Sequence, residues 1–139
     1  MNSLTQAQLK DLDKIVEIDK SVIGHNGRKD MLKKSIESES CLISMQENEI
    51  AGFLTYNTNF FGYSFIELVI VSPQERRKGH ATALLQHFVK IASTEKIFSS
   101  TNQSNTRMQE VFERNGFTRS GIIENLDEGD PELIYFKLK

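Results

Sequence analysis

Apolar positions along the chain follow two alternating periods. Leu9, Leu12, Ile15, Val16 and Ile18 recur at helical spacing and predict an amphipathic helix over residues 5–20. Gly24 and Gly27 interrupt that pattern, and Leu32 and Ile36 place a second helix over residues 29–37. From Cys41 the residues become apolar and β-branched. Cys41 to Met45, the polar turn Gln46 to Glu49, and Ile50 to Asn57 read as a hairpin. A second turn is expected over Asn57 to Tyr63, and Phe65 to Ser72 forms the next strand. Residues 41–72 therefore predict an antiparallel meander of three strands.

After Gly79 the helical period returns in Ala81, Leu84, Leu85, Phe88, Ile91 and Ala92. Ile97 to Ser100 is a short strand. A strand–helix–strand succession of this kind makes a crossover, so these two strands should be parallel. Asn105 suits a helix N-cap ahead of Met108, Val111 and Phe112, and Gly116 suits the residue just past that helix. Phe117 to Glu124 and Leu133 to Leu138 supply two last strands. The expected class is α+β, a mixed and mostly antiparallel sheet with helices on both faces. No repeat, low-complexity tract or linker divides it, so one domain over residues 1–139 is expected.

Composition narrows the function classes. With 139 residues, 38% hydrophobic and 26% charged, the chain suits a packed globular core. Its apolar runs are too short for a membrane span, and the N-terminus lacks the apolar segment of a secretory signal. Cys41 is the single cysteine, and His25, His80 and His87 have no ligand spacing, so neither a disulfide nor a metal site is expected. A cytoplasmic location follows as an expectation. The net charge of −2 argues against nucleic acid. Charge is nonetheless uneven: Arg76, Arg77 and Lys78 are consecutive cations, whereas Glu124 to Glu132 is strongly acidic.

The basic cluster sits where an anion would bind. Val69, Ile70 and Val71 form a strand end, Pro73 breaks it, and Arg76-Arg77-Lys78-Gly79-His80-Ala81 runs into a helix. The first N–H groups of a helix lack intrahelical acceptors, and the macrodipole places positive charge there. The stretch is suited to the diphosphate of a nucleotide-like cofactor. Neither a Walker P-loop nor a nucleophile elbow is present.

In these residues the chain resembles the Gcn5-related N-acetyltransferase superfamily, whose cofactor motif Gln/Arg-x-x-Gly-x-Gly/Ala stands here as Arg76 to Ala81. The strand ending in Val-x-Pro before it and the segment from Asn105 to Asn115-Gly116-Phe117 after it are similar in order and spacing. The resemblance implies acetyl-CoA as co-substrate, held by N–H groups of Arg77, Lys78, Gly79, His80, Ala81 and Thr82. It implies a splayed central parallel strand pair, in which Leu68, Val69, Ile70 and Val71 pair with the pantetheine arm as an added strand would. It also places Asn105 against the cofactor, beside its reading as a plain helix cap. His80 occupies a variable motif position and is expected to point to solvent.

Glu67 is the residue singled out for chemistry. Alternation puts it with Phe65, Val69 and Val71 on one strand face, where a carboxylate is costly unless neutral, paired or facing a wet cleft. In many members of the family a Glu on this strand serves as general base. Phe112 matches the position where many members carry a Tyr acting as general acid, and it has no proton to give. Departure of the thiolate unaided, another proton donor, or no catalysis at all remain open. By resemblance the acceptor side draws on His25 to Arg28, on Asn59 to Tyr63 including Phe61 and Tyr63, and on Asn125 to Asp130 including Asp127 and Glu128. Those acids favour a cationic amine. The expected activity is direct acetyl transfer to a primary amine, a small cationic molecule before a protein N-terminus or lysine. A cofactor-binding module without turnover is the reading from another class. A homodimer is compatible with each.

Overall fold

The computed structural model describes residues 2–139. Its elements in order are β1 (Asn2–Gln6), α1 (Leu12–Ile23), α2 (Lys29–Glu37), β2 (Cys41–Gln46), β3 (Glu49–Phe60) and β4 (Tyr63–Val71). Then come α3 (His80–Ile91), β5 (Lys96–Asn102), α4 (Thr106–Arg114), β6 (Thr118–Ile123) and β7 (Glu132–Leu138). Single 3₁₀ turns at Leu9–Asp11 and Pro73–Glu75 precede α1 and α3. The sheet has seven strands in the order β1-β2-β3-β4-β5-β7-β6. Strands β4 and β5 run parallel, as the crossover argument requires, and β1–β2, β2–β3, β5–β7 and β6–β7 run antiparallel. The mixed, mostly antiparallel α+β class holds.

Two boundaries differ from the sequence expectation. The first helix does not begin at residue 5: Asn2–Gln6 is a strand paired with β2 in the register Leu4↔Ser44, and Ala7 N–H bonds the Cys41 carbonyl at 2.9 Å. Helical spacing alone could not show that β2 had an open edge to fill; only the family resemblance called for a first strand, within residues 1–6, and the strand stands there. The turn expected over residues 57–63 contracts to Phe61 and Gly62, both left-handed at φ 53° and 84°. Two central residues with positive φ are the signature of a type I′ hairpin turn. The β2–β3 turn repeats the device with Glu47 and Asn48, at φ 50° and 70°.

The chain forms two compact units, Met1–Tyr56 with Leu68–His87 and Asn57–Glu67 with Phe88–Lys139, so β3, β4 and α3 each pass from one to the other. In the first unit α1 and α2 cover one sheet face. Leu12, Ile15 and Ile18 of α1 and Leu32 and Ile36 of α2 pack on Cys41, Ile43, Ile50 and Phe53. Gly24 ends α1 in the left-handed region at φ 90°. The α1–α2 connection is fastened by Arg28, whose guanidinium grips the buried Asp19 with Nε–Oδ2 at 2.9 Å and NH2–Oδ1 at 2.5 Å.

In the second unit Phe112 of α4 is buried between Phe117 and Tyr135, with ring centroids 5.3 and 4.9 Å apart. The Asn105 side chain caps α4, accepting from Met108 N–H at 3.1 Å. Gly116 (φ 85°) ends it, and Phe117 N–H bonds back to the Phe112 carbonyl at 3.0 Å. Both ends of this helix are thus where Asn105 and Gly116 predicted. The register Phe65↔Phe98↔Phe136 lines up three rings, with Phe60 stacked on Phe65. Strand β6 lies at the sheet edge and is exposed along its whole length. Among the described residues no helix is long and apolar enough to cross a membrane, and no three His, Cys, Asp or Glu side chains group as metal ligands.

Two outcomes follow from this packing. Arg28→Ala strands a buried carboxylate and should lower stability by about 3 kcal/mol, read as a fall in the urea midpoint at unchanged slope. Cys41 is fully buried, and burial, with Asp11 adding, pushes its thiol up to about 12. A maleimide at pH 8 should therefore leave the native protein unlabelled by mass and modify it once denatured.

Candidate active site

The basic turn of the first unit has the backbone form of an anion cradle. Arg77 and Gly79 are both left-handed, at φ 65° and 82°, with Lys78 between them. Alternation of left-handed and ordinary backbone makes successive N–H groups converge on one point. Helix α3 starts at once: Ala83 N–H bonds the Gly79 carbonyl at 2.9 Å, so the N–H groups of His80, Ala81 and Thr82 precede the first helical bond. A side chain at Gly79 would meet no protein atom within 4 Å. The space before the turn is open, and the left-handed φ of Gly79 favours glycine there. Arg77 adopts the same region without being glycine, which is strain of about 1 kcal/mol held at one residue. Lys78 pairs with Glu75 at 2.9 Å. The open space, the converging donors and the adjoining cations fit a diphosphate.

His80 corrects the sequence reading. Its side chain does not reach solvent; it is 1% exposed, with Nδ1 2.6 Å from Ser44 Oγ and Nε2 3.1 Å from Gln46 Oε1. Ser44 and Gln46 lie two residues apart on β2 and so share a sheet face, opposite the one that carries Cys41, Ile43 and Met45 under α1 and α2. Nothing in the motif spacing marked this contact. The only hint was that Ser44 and Gln46 are polar positions alternating with apolar ones.

A cleft of about 300 Å³ also opens in the first unit, lined among others by Lys14, Glu17, Gln46, Glu49, Ser72 and Glu75. Three carboxylates make it unsuited to the anion that the basic turn would take, so the turn and not this cleft is the cofactor candidate.

In the second unit the parallel ladder between β4 and β5 is short. It consists of Ser64↔Ile97, Phe65↔Phe98 and Ile66↔Ser99, and the Ser99 hydroxyl donates to the Ile66 carbonyl at 2.9 Å on the last pair. Glu67 is the next residue of β4. It is half-buried, with no ion-pair partner among the described residues. Beyond it Leu68, Val69, Ile70 and Val71 continue the strand past the end of that ladder, each half-buried. Sequence reasoning found no nucleophile elbow and did not foresee the part Ser99 plays in closing the ladder.

Phe112 is 1% exposed and lies in the core. The tyrosine stacked on it, Tyr135 of β7, is also fully buried, and its hydroxyl donates to Glu113 at 3.2 Å. Burial first, and then that bond to Glu113, raises its pKa. A hydroxyl so enclosed does not replace the missing acid.

The acceptor candidates are largely occupied with holding their own loops. Arg28 is engaged by Asp19, and His25 Nδ1 accepts from Gly27 N–H at 3.0 Å. Asp127 accepts from Asn102 at 2.9 Å, and Asp130 accepts from Ser104 N–H and Oγ at 2.9 and 2.6 Å. Glu128 is exposed, Phe61 is 86% exposed at the hairpin tip, and Tyr63 is half-buried under Lys96, whose ammonium lies 5.2 Å from its ring.

Comparison with known proteins agrees with this geometry. The chain matches the Acetyltransferase (GNAT) family over residues 9–117. It is similar to a GNAT-family acetyltransferase from Bacillus cereus ATCC 10987, with 53% identity, a TM-score of 0.98, and coverage of 100% of this chain and 98% of that one. More distant in sequence are the ribosomal-protein-S18-alanine N-acetyltransferase of Escherichia coli and Ard1 of Thermoplasma volcanium. The first has 17% identity and a TM-score of 0.86, covering 99% and 94% of the two chains. The second has 14% identity and a TM-score of 0.88, covering 99% and 97%. These two share the fold. No curated protein matches the chain. With the family match spanning most of its length, and a basic turn opening α3 as the cofactor motif requires, the chain belongs to the GNAT acetyltransferase family.

Proposed function

We propose that this acetyltransferase moves the acetyl group of acetyl-CoA directly to a primary amine on a small cationic molecule. The observation that carries the reading is the turn from Arg76 to Ala81, with two left-handed residues and open space before Gly79. Acetyl-CoA supplies an activated thioester when bound. The N–H groups of Arg77 to Thr82 hold its diphosphate. Leu68 to Val71 would offer main-chain partners to the pantetheine arm, and N–H groups near Val69 to Val71 would be the candidates to stabilise the oxygen where negative charge develops.

Glu67 is the general base. An ammonium acceptor must lose a proton before it can attack, and a half-buried carboxylate without an ion-pair partner is suited to take it. Much of the acceleration comes from holding amine and thioester together. With Phe112 unable to protonate the leaving sulfur, a thiolate of pKa about 8.5 departs unaided. Asn105 serves first as the α4 cap, and its place against the cofactor remains part of the proposal.

Exposed Glu128 and the acidic run around it support a cationic acceptor. A second reading, a protein N-terminus or lysine as acceptor, is favoured by the solvent-facing Phe61 and by fold neighbours whose names denote protein acetylation. An amine panel with release of free thiol as readout decides among them. Polyamines and lysine-like amines should outcompete neutral and acidic ones; equal rates across charge classes refute the cationic small-molecule acceptor. Peptide amines reacting fastest would establish the second reading, and no thiol release with any amine would leave a non-catalytic module. Glu67→Gln should lower kcat about 100-fold with Kd for coenzyme A nearly unchanged. Full turnover in that variant would remove Glu67 from the mechanism.

A further inference from the structure

The strained turn needs something to hold it, and the structure offers one device. His80 is the first residue of α3 and directly follows Gly79. Its imidazole is buried between two β2 side chains, at 2.6 Å from Ser44 and 3.1 Å from Gln46. The Gln46 carbonyl oxygen can only accept, so Nε2 carries the proton. Nδ1 then presents its lone pair and accepts from the Ser44 hydroxyl. Both ring nitrogens are satisfied in the neutral ring. Ser44 is itself fully buried, and the β2–β3 register shifts just after it, between Ser44 and Met45.

We propose that His80, Ser44 and Gln46 form a latch that fixes the first turn of α3 to β2, making His80 a positioning residue for the cofactor diphosphate. An aliphatic side chain at this position would fill the same space but would leave the helix start free to slide. Two directional bonds to one strand remove that freedom. The latch acts where it is needed, because a non-glycine residue at φ 65° persists only if its surroundings over-determine it. Burial lowers the pKa of His80, with Lys78 acting in the same sense and Glu75 against it. The neutral ring, accepting at Nδ1 and donating at Nε2, is therefore the form present at neutral pH.

This inference rests on the acetyl-CoA reading, and its test separates the two. In Ser44→Ala and His80→Leu, the KM for acetyl-CoA and the Kd for coenzyme A should rise about tenfold, with kcat within twofold. The KM for S-acetyl-pantetheine, which has no diphosphate, should not change. His80→Asn, which keeps a partner for Ser44, should recover part of the affinity. Backbone amide exchange over residues 77–82 should quicken in Ser44→Ala without any ligand. Unchanged exchange in a Ser44→Ala protein that melts normally overturns the latch, as does an equal rise in KM for both acetyl donors. Faster exchange in a protein that binds no coenzyme A keeps the latch and overturns the cofactor reading.

Discussion

The end of the β4–β5 ladder at Ile66 and Ser99 is the constraint on which the proposed chemistry depends. A parallel pair three residues long is unusual in the middle of a seven-strand sheet, because unpaired main-chain groups are costly unless something else meets them. Ser99 supplies part of the answer by giving its hydroxyl to the Ile66 carbonyl at the last pair. Everything that β4 is proposed to contribute, from Glu67 to Val71, follows that point in the chain.

The candidate cofactor turn illustrates a different trade between stability and use. Glycine at position 79 and a left-handed Arg77 both weaken the local backbone, and the return is a set of donors already aimed at one place. Such pre-ordering lowers the entropy lost on binding. It works only if the turn is anchored to a rigid neighbour, and β2 is paired on both sides, by β1 and β3.

Much of this was legible in the residues. Helix α2, the cap at Asn105 and the stop at Gly116 stand where side-chain chemistry put them, because each depends on neighbours three or four residues away. The motif from Arg76 to Ala81 was legible for the same reason. What sequence could not show are contacts that span the chain. The residues of the first strand carry no local signal, and only the resemblance put a strand there, because it forms against the edge of β2; His80 turns inward only because Ser44 and Gln46 await it, and Ser99 matters only because Ile66 lies beside it. The acceptor loops were placed by resemblance and their acids read as favouring a cation, yet Arg28 and Asp127 also bond Asp19 and Asn102. A charged loop residue serves equally well as a fastener or a contact, and composition does not distinguish them.

The burial of Cys41 has a consequence for a protein whose reaction liberates a thiol. Each turnover of acetyl-CoA leaves free coenzyme A beside the protein, and under oxidising conditions that thiol forms mixed disulfides with reachable cysteines. Here the chain's single cysteine is enclosed in β2 beneath α1 and α2, and burial keeps it protonated. Exchange needs a thiolate with room to attack. The folded enzyme is thus insulated from its own product.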